Sequence, residues 1–326
     1  MTNDKLPHYL AWALAVGTFP LIWMGGLVTT YGAGMAVPDW PNTYGYNLFL
    51  YPLESWLGVW DVFLEHSHRL IGATVGMIAI ALAVFLWRKD SRRWMRWMGV
   101  MALAGVCLQG TLGGLRVIGD DLLLAKIHGC TAPVFFGLAA ALVAWTSPAW
   151  LQASPRPNAA ARRLLWLAIG LTLGIYLQIV LGAQLRHLPP EADVFWFQLW
   201  VWLHLIVAGL VLIAVTWMSV FARRRLRESP QLARRAQLLL VLFLLQLFLG
   251  AATWVTNFGW PAWFTTYLWP IDYTVIAESR LQVLSTTAHV AVGSLCLIAA
   301  LSLMLWSKRL LLTTKPSDNH PPRPRT

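Results

Sequence analysis

Charge is scarce in this sequence. Only 12% of its 326 residues are charged and 14 are acidic, where a soluble domain carries about 25% charged residues. So little charge cannot clothe a water-facing globule of this length. Cysteine is nearly as rare. Cys107, Cys130 and Cys296 show no CxxC spacing, which excludes a zinc ribbon or a thioredoxin-type motif. Each falls inside an apolar run and is expected to pack as a small hydrophobe, with no structural disulfide. HExxH, the carboxylate runs of a di-iron centre, a P-loop and a dinucleotide fingerprint are also missing.

Apolar sequence is abundant. Hydrophobic residues make up 58% of the chain, mean hydropathy is +0.58, and there are 20 tryptophans, so the solvent is a bilayer. A membrane-crossing helix needs about 20 mainly apolar residues. Eight stretches meet this: 9–30, 64–87, 97–115, 123–145, 164–186, 197–222, 236–257 and 281–306. The first is too long for a signal peptide and lacks a small-residue cleavage site, so it reads as a span. The expected fold is an all-α integral membrane protein of eight transmembrane helices, in two pseudo-symmetric four-helix bundles.

The net charge of +11 follows the same topology. With the N-terminus inside, 20 of the 25 Lys and Arg residues fall on inner segments. Arg69, Arg116, Lys126, Arg186 and Arg280 remain outside. This positive-inside pattern places the N- and C-termini inside; the expected location is the cell (inner) membrane, or the mitochondrial inner membrane for a eukaryotic chain. The partner of the basic excess is membrane lipid, and no nucleic-acid binding is expected. The tail "KPSDNHPPRPRT" is proline-rich, polar and disordered by composition, and its His320 is expected to be inert.

The segment "TSPAWLQASPRPNAAARR" has linker composition and divides the spans into two sets of four. The expected units are 1–146, an inner linker at 147–163, 164–306, and a disordered tail at 307–326. A weak repeat supports the division. Three odd spans end on "LQGTLGGLRV", "LQIVLGAQLRH" and "LQLFLGAATWV", and the first carries the looser "LIWMGGLVT". These small-residue patches allow close helix approach.

Each even span carries a histidine near its outer end: His68, His128, His204 and His289. Four residues on stand Gly72, Ala132, Ala208 and Gly293, one turn away on the same face, leaving room for the edge of a flat macrocycle. Neutral imidazole is a common metal ligand, and histidines paired across helices suit heme iron. One histidine at the mouth of a span is usually just a hydrogen-bonded helix-end residue. Four at matching depth, two in each half, point to ligation. His8 and His187 fall outside this set as interfacial residues.

In "EHSHRLIG", His66 lies about 200° around the helix from His68, whereas Glu65, three residues before it, shares its face. Replacing His66 is therefore expected to matter little. Glu65 could act on a substrate beside His68, or be a salt-bridge partner of Arg69 or a helix N-terminal charge. The five outer basic residues are candidate partners for heme propionates, since arginine suits bidentate carboxylate pairing; interfacial snorkelling would place them equally well. The aromatic loops 31–62 and 258–273 could cover the outer ends as lids, although tryptophan and tyrosine also favour the interface for their own sake.

Over 9–306 the sequence resembles the heme A synthase family. The resemblance rests on Glu65, His68, Arg69 and Gly72 (E-x-x-H-R-x-x-G), on the loop Pro38, Asp39, Trp40 and Pro41 (P-D-W-P), and on the histidine of each even span. It implies a heme b cofactor between His204 and His289, and substrate heme O between His68 and His128. It also implies oxidation of the C8 methyl of heme O to a formyl group by two successive hydroxylations, giving heme A. Glu65 would be the catalytic carboxylate, stabilising developing positive charge or taking a proton from attacking water. Heme O synthase and an electron-transfer partner are the implied partners. Many bacterial members carry cysteines flanking the P-D-W-P loop. Val37 and Thr43 stand at those positions here, which resembles the cysteine-free branch.

The rival reading is a b-type cytochrome carrying electrons to or from a quinone. Such a carrier needs neither a carboxylate on the ligand face nor the P-D-W-P loop. A transporter built on helix repeats would leave four shallow histidines unexplained.

Overall fold

The computed structural model describes residues 5–155, 161–189, 191–226 and 229–311. Eight of its helices are long and apolar enough to cross a membrane, and none of the described residues forms a named strand. The long helices are α1 (Leu6–Thr30), α3 (Trp60–Lys89), α4 (Arg93–Gly119), α5 (Leu122–Thr146), α7 (Ala161–Arg186), α8 (Val194–Arg225), α9 (Pro230–Phe258) and α11 (Arg280–Leu311). Short helices α2 (Leu53–Gly58), α6 (Pro148–Gln152) and α10 (Ala262–Tyr267) lie in the connections. All eight expected spans are present. Each helix outruns its apolar core because polar and charged side chains beyond the hydrocarbon still satisfy a continuing helix.

Local chemistry sets several ends. The Asp121 carboxylate accepts the N–H groups of Leu123 and Leu124 to start α5, and Asp193 accepts that of Phe195 to start α8. Arg88 and Lys89, Arg223 to Arg225, and Lys308 and Arg309 occupy the last turns of α3, α8 and α11. There their charge meets the negative pole of the helix dipole.

Helices α1, α3, α4 and α5 pack on one another as one set, and α7, α8, α9 and α11 as a second. Leu14, Val75, Leu82, Met95, Phe136 and Leu142 are buried in the first core. Leu171, Val215, Met218, Leu239, Phe243 and Leu303 are buried in the second. The sets meet along a seam where α1 and α5 lie against α11, and α5 against α7. The stretch expected as linker contains α6. Its Trp150 ring packs edge-on to Trp306 at 5.2 Å, and its carbonyl accepts from Arg309 Nε at 3.2 Å. Helix α11 runs to Leu311, five residues into the stretch expected as tail. Arg156, Arg227 and His320 lie outside the described residues.

Candidate functional site

The four histidines come together as two pairs. His68 on α3 and His128 on α5 have ring centres 6.5 Å apart and planes 80° apart. His204 on α8 and His289 on α11 stand 6.3 Å apart with planes at 63°. A metal–nitrogen bond of about 2 Å, with roughly 1 Å more to each ring centre, puts two imidazoles on opposite sides of one metal about 6 Å apart. Both pairs have that spacing.

A glycine of an odd-numbered span backs each ring. A Cβ built on Gly25 of α1 would stand 3.0 Å from His68 Cε1, and on Gly113 of α4 3.2 Å from His128 Cε1. On Gly182 of α7 it would stand 3.5 Å from His204 Cε1, and on Gly250 of α9 3.0 Å from His289 Cε1. Three of these glycines follow a glutamine by four residues (Gln109, Gln178, Gln246), the repeat visible in the sequence. The sequence marks those patches only as sites of close packing; which ring each glycine faces is a tertiary fact. Of the small residues after the histidines, Gly72 lies near α1 and Gly293 near α9: a Cβ built on Gly72 would stand 3.8 Å from Leu21 Cδ1, and on Gly293 3.2 Å from Gln246 Nε2.

The ring nitrogens test whether a bound group fits. His289 Nδ1 lies 3.2 Å from the Gln246 carbonyl oxygen, the contact that orients a ligating imidazole. His68 and His128 are turned in the same way toward the carbonyls of Leu21 and Gln109, and Nδ1 of His204 is enclosed without a hydrogen-bond partner. With Nδ1 on the carbonyl side, Nε2 is the nitrogen left for a metal, and the spacing of each pair fits a metal-centred planar group between its rings.

Glu65 and Arg69 are joined at 2.7 Å. Glu65 is buried (2% exposed), and its Oε2 accepts the Val37 N–H at 2.9 Å. Arg69 is committed to the loop after α1. Its Nη2 donates to the Val37 carbonyl at 2.8 Å, and Nη1 to those of Asp39 and Asn42 at 2.6 and 2.7 Å. Both of its terminal nitrogens are thus engaged by the loop and by Glu65.

His66 stands on the loop side of α3. It is 1% exposed, its Nδ1 and Thr43 Oγ1 are hydrogen-bonded at 3.0 Å, and it packs on Tyr51 and Trp56. The face of α3 opposite His68 thus anchors the loop. Val37 and Thr43, the positions where cysteine is absent, are held one by Glu65 and Arg69 and the other by His66.

The loop reaches the first pair. A Cβ on Gly114, next to the Gly113 that backs His128, would overlap the Trp40 ring, so the indole lies against α4. Thr43 and Tyr46 exchange backbone hydrogen bonds at 3.0 Å around Tyr44 and Gly45, both at positive φ, which suits glycine at the second position. Asp39 Oδ1 and Oδ2 accept the Tyr44 and Gly45 N–H groups at 2.7 Å each, and the Tyr44 hydroxyl donates to the Ala36 carbonyl.

Burial alone would raise the Asp39 carboxyl, but these N–H groups and Arg69 outweigh it and hold it below its ordinary value. Stability from a depressed carboxyl is in place above the unfolded value of about 3.9 and is lost as pH falls through the native one. Exchange of the Tyr44 and Gly45 amides, followed by mass spectrometry, should therefore stay protected from neutral pH to about pH 4 and lose protection below. Asp39→Ala should lack that protection throughout. Loss already near pH 6 in the unaltered protein would contradict this account.

The other basic candidates are spread along the same end. A Cβ on Gly34 would stand 2.6 Å from Arg116 Nη1, Lys126 Nζ donates to Gln184 Oε1 at 3.5 Å, and Arg280 is exposed at the start of α11. Arg186 Nη2 donates to the Gly26 carbonyl and Thr30 Oγ1 across the seam, at 2.8 and 2.7 Å. At the opposite end His8 Nδ1 pairs with Thr146 Oγ1 at 3.0 Å. The three cysteines are free; Cys296 is buried, but Cys107 is exposed on the flank of α4.

The cytochrome oxidase assembly protein family (COX15-CtaA) matches residues 8–191. The chain is 27% identical over 166 residues to the heme A synthase of Bacillus licheniformis, covering 50% of this chain and 53% of that protein. It is 24% identical over 257 residues to that of an Exiguobacterium species (74% and 80% covered). It is 26% identical over 305 residues to that of Beijerinckia indica (75% and 83% covered). In the first of these comparisons the chain spans about half the length of its relative.

Proposed function

The chain belongs to the COX15-CtaA family of cytochrome oxidase assembly proteins, and from that premise we propose that it is a heme A synthase. The carrying observation is the pair of matched histidine pairs, each at the spacing of two imidazoles on one metal and each backed by glycines. In this reading His204 and His289 hold a heme b cofactor in the unit 164–306. His68 and His128 hold substrate heme O in the unit 1–146, and both termini lie on the inner side.

The overall change is oxidation of the C8 methyl to a formyl group. Each hydroxylation takes oxygen from water and releases two electrons and two protons, and loss of water from the doubly hydroxylated carbon leaves the aldehyde. A heme between His204 and His289 supplies one-electron redox chemistry when bound. The chain's own residues do the rest. His68 and His128 fix the substrate's height, and the glycines behind them fix the rings. The loop carrying Trp40 covers α4 beside His128 and limits water. Glu65, one turn from His68, is the group placed to take a proton from attacking water. An electron-transfer partner removes the electrons, and a heme O synthase supplies the substrate.

Chromatography of hemes extracted from cells expressing the protein tests the reading. Heme A or its hydroxylated precursor, dependent on this chain, is expected. Heme B alone would instead make it a b-type cytochrome, a reading that the full engagement of Glu65 by Arg69 and Val37 would suit.

The glycine rails give a second check. Gly250→Ala places a methyl 3.0 Å from the His289 ring and should push the ring off its position, reducing bound pigment per protein. Gly110→Ala, which meets nothing within 4 Å, should leave the absorption spectrum unchanged. Equal spectra for the two variants would remove the rails' role.

A further inference from the structure

The turn between α3 and α4 is short and basic. From Arg88 to Arg96 it holds five cations (Arg88, Lys89, Arg92, Arg93 and Arg96) and one carboxylate, Asp90. Trp87, just before it, stands 19 residues beyond His68 on the same helix, about 28 Å along its axis. The turn therefore lies at the membrane end away from the histidine pairs.

The one carboxylate is already spent. Asp90 Oδ1 accepts the Arg92 backbone N–H at 2.9 Å and its Nε at 3.0 Å, and Oδ2 accepts Nη2 at 2.7 Å. Arg92 Nη1 donates to the Trp145 carbonyl at 3.0 Å, which completes that guanidinium. Arg96 is anchored at one point, Nε to the Asp90 carbonyl at 2.7 Å. Its terminal nitrogens have no acceptor among the described residues. Arg93 makes no hydrogen bond or ion pair among the described residues.

These two arginines line one cavity. It measures ≈ 250 Å³ and is walled by Arg93, Arg96, Trp87 and Trp97. Arg93 and Arg96 are one turn apart on α4, and the Trp87 and Trp97 rings meet edge to face at 5.7 Å. Pockets for drug-sized ligands begin at about 300 Å³, so this one suits a headgroup. Apolar surface continues from it along both helices. Val84 and Ile80 follow Trp87 on α3, and Met101 and Leu108 follow Trp97 on α4, at helical spacing and all exposed.

We propose that this cavity binds the phosphate of an anionic phospholipid, whose acyl chains lie along the exposed faces of α3 and α4. Arginine presents a fork that matches phosphate oxygens, and tryptophan rings settle at headgroup level. Basic pockets between spans are a form that lipid headgroup sites take. A free phosphate would meet the same donors but leave the apolar faces bare, which favours the lipid.

The test is native mass spectrometry of the full-length protein in neutral detergent, titrated with phosphatidylglycerol, phosphatidylcholine or inorganic phosphate. The parent should bind phosphatidylglycerol at least about tenfold tighter than phosphatidylcholine. Each arginine near a charged headgroup is worth about fivefold in binding, so Arg93→Gln with Arg96→Gln should weaken phosphatidylglycerol about twentyfold. Arg88→Gln with Lys89→Gln removes the same charge from outside the cavity and should cost less than about threefold. Arg93→Gln alone takes away a side chain with no partner to lose, so it keeps the fold and should by itself cost about fivefold. No preference for phosphatidylglycerol in the parent, or equal losses in the two paired variants, overturns the site. Displacement of the lipid by an equal concentration of inorganic phosphate would assign the cavity to a free anion and overturn the lipid reading.

Discussion

Alanine at His204 or at His289 should empty the second histidine pair. In the proposed reading both rings would be needed to hold the heme iron, and the glycine behind each leaves that space to the imidazole. Losing only an outer partner of a metal ligand costs about 10–100-fold in affinity, so losing the ligand itself should cost at least that. The measurement is heme absorbance per purified protein in each single variant. A His66→Gln variant should retain its pigment, because His66 lies on the loop side of α3, while the amides of 43–46 exchange faster as the Thr43 contact is lost. Full heme retention in both the His204 and His289 variants would refute their assignment as ligands.

Glu65→Gln should stop product formation while leaving both heme sites loaded. The side chain keeps its size and loses charge and basicity. A general base contributes about 10²–10⁴-fold to rate, and a group acting only in the transition state affects turnover more than binding. Extracts should accumulate heme O or its singly hydroxylated form at the expense of heme A.

Because Glu65 also accepts from Val37 and Arg69, anchoring must be separated from chemistry. Arg69→Met leaves Glu65 buried without its partner, a change that costs about 3–5 kcal/mol, and it releases three loop carbonyls. It should expose the loop to exchange far more than Glu65→Gln does. If heme A falls in the two variants only in proportion to loop opening, Glu65 is an anchor and not a base. Normal heme A from Glu65→Gln would remove its catalytic role outright.

The sequence by itself determined the solvent, the eight helices and the four histidines. Runs of about 20 apolar residues have no other stable form in a bilayer, because every backbone polar group must be satisfied within the segment. A histidine at the same depth of each even span is likewise countable, since depth follows from residue number along a helix.

Only the tertiary structure decided which side chain meets which. Gly25, Gly113, Gly182 and Gly250 were legible as small-residue patches, but the ring opposite each depends on how two helices are rotated. The helical angle separates His66 from His68, yet the angle carries no information about what lies on the other side. There Thr43, Tyr51 and Trp56 give it a structural task. Arg69 looked equivalent to Arg186 as an outer cation, and packing separated them. A folded-back loop and Glu65 engaged both terminal nitrogens of Arg69, while the seam left one amine of Arg186 unmet. The physical reason is one of range. Periodicity and burial energy act within a helix and are written in its residues, whereas the choice of a hydrogen-bond partner depends on chain segments up to 160 residues apart, whose meeting depends on the packing of both helix sets.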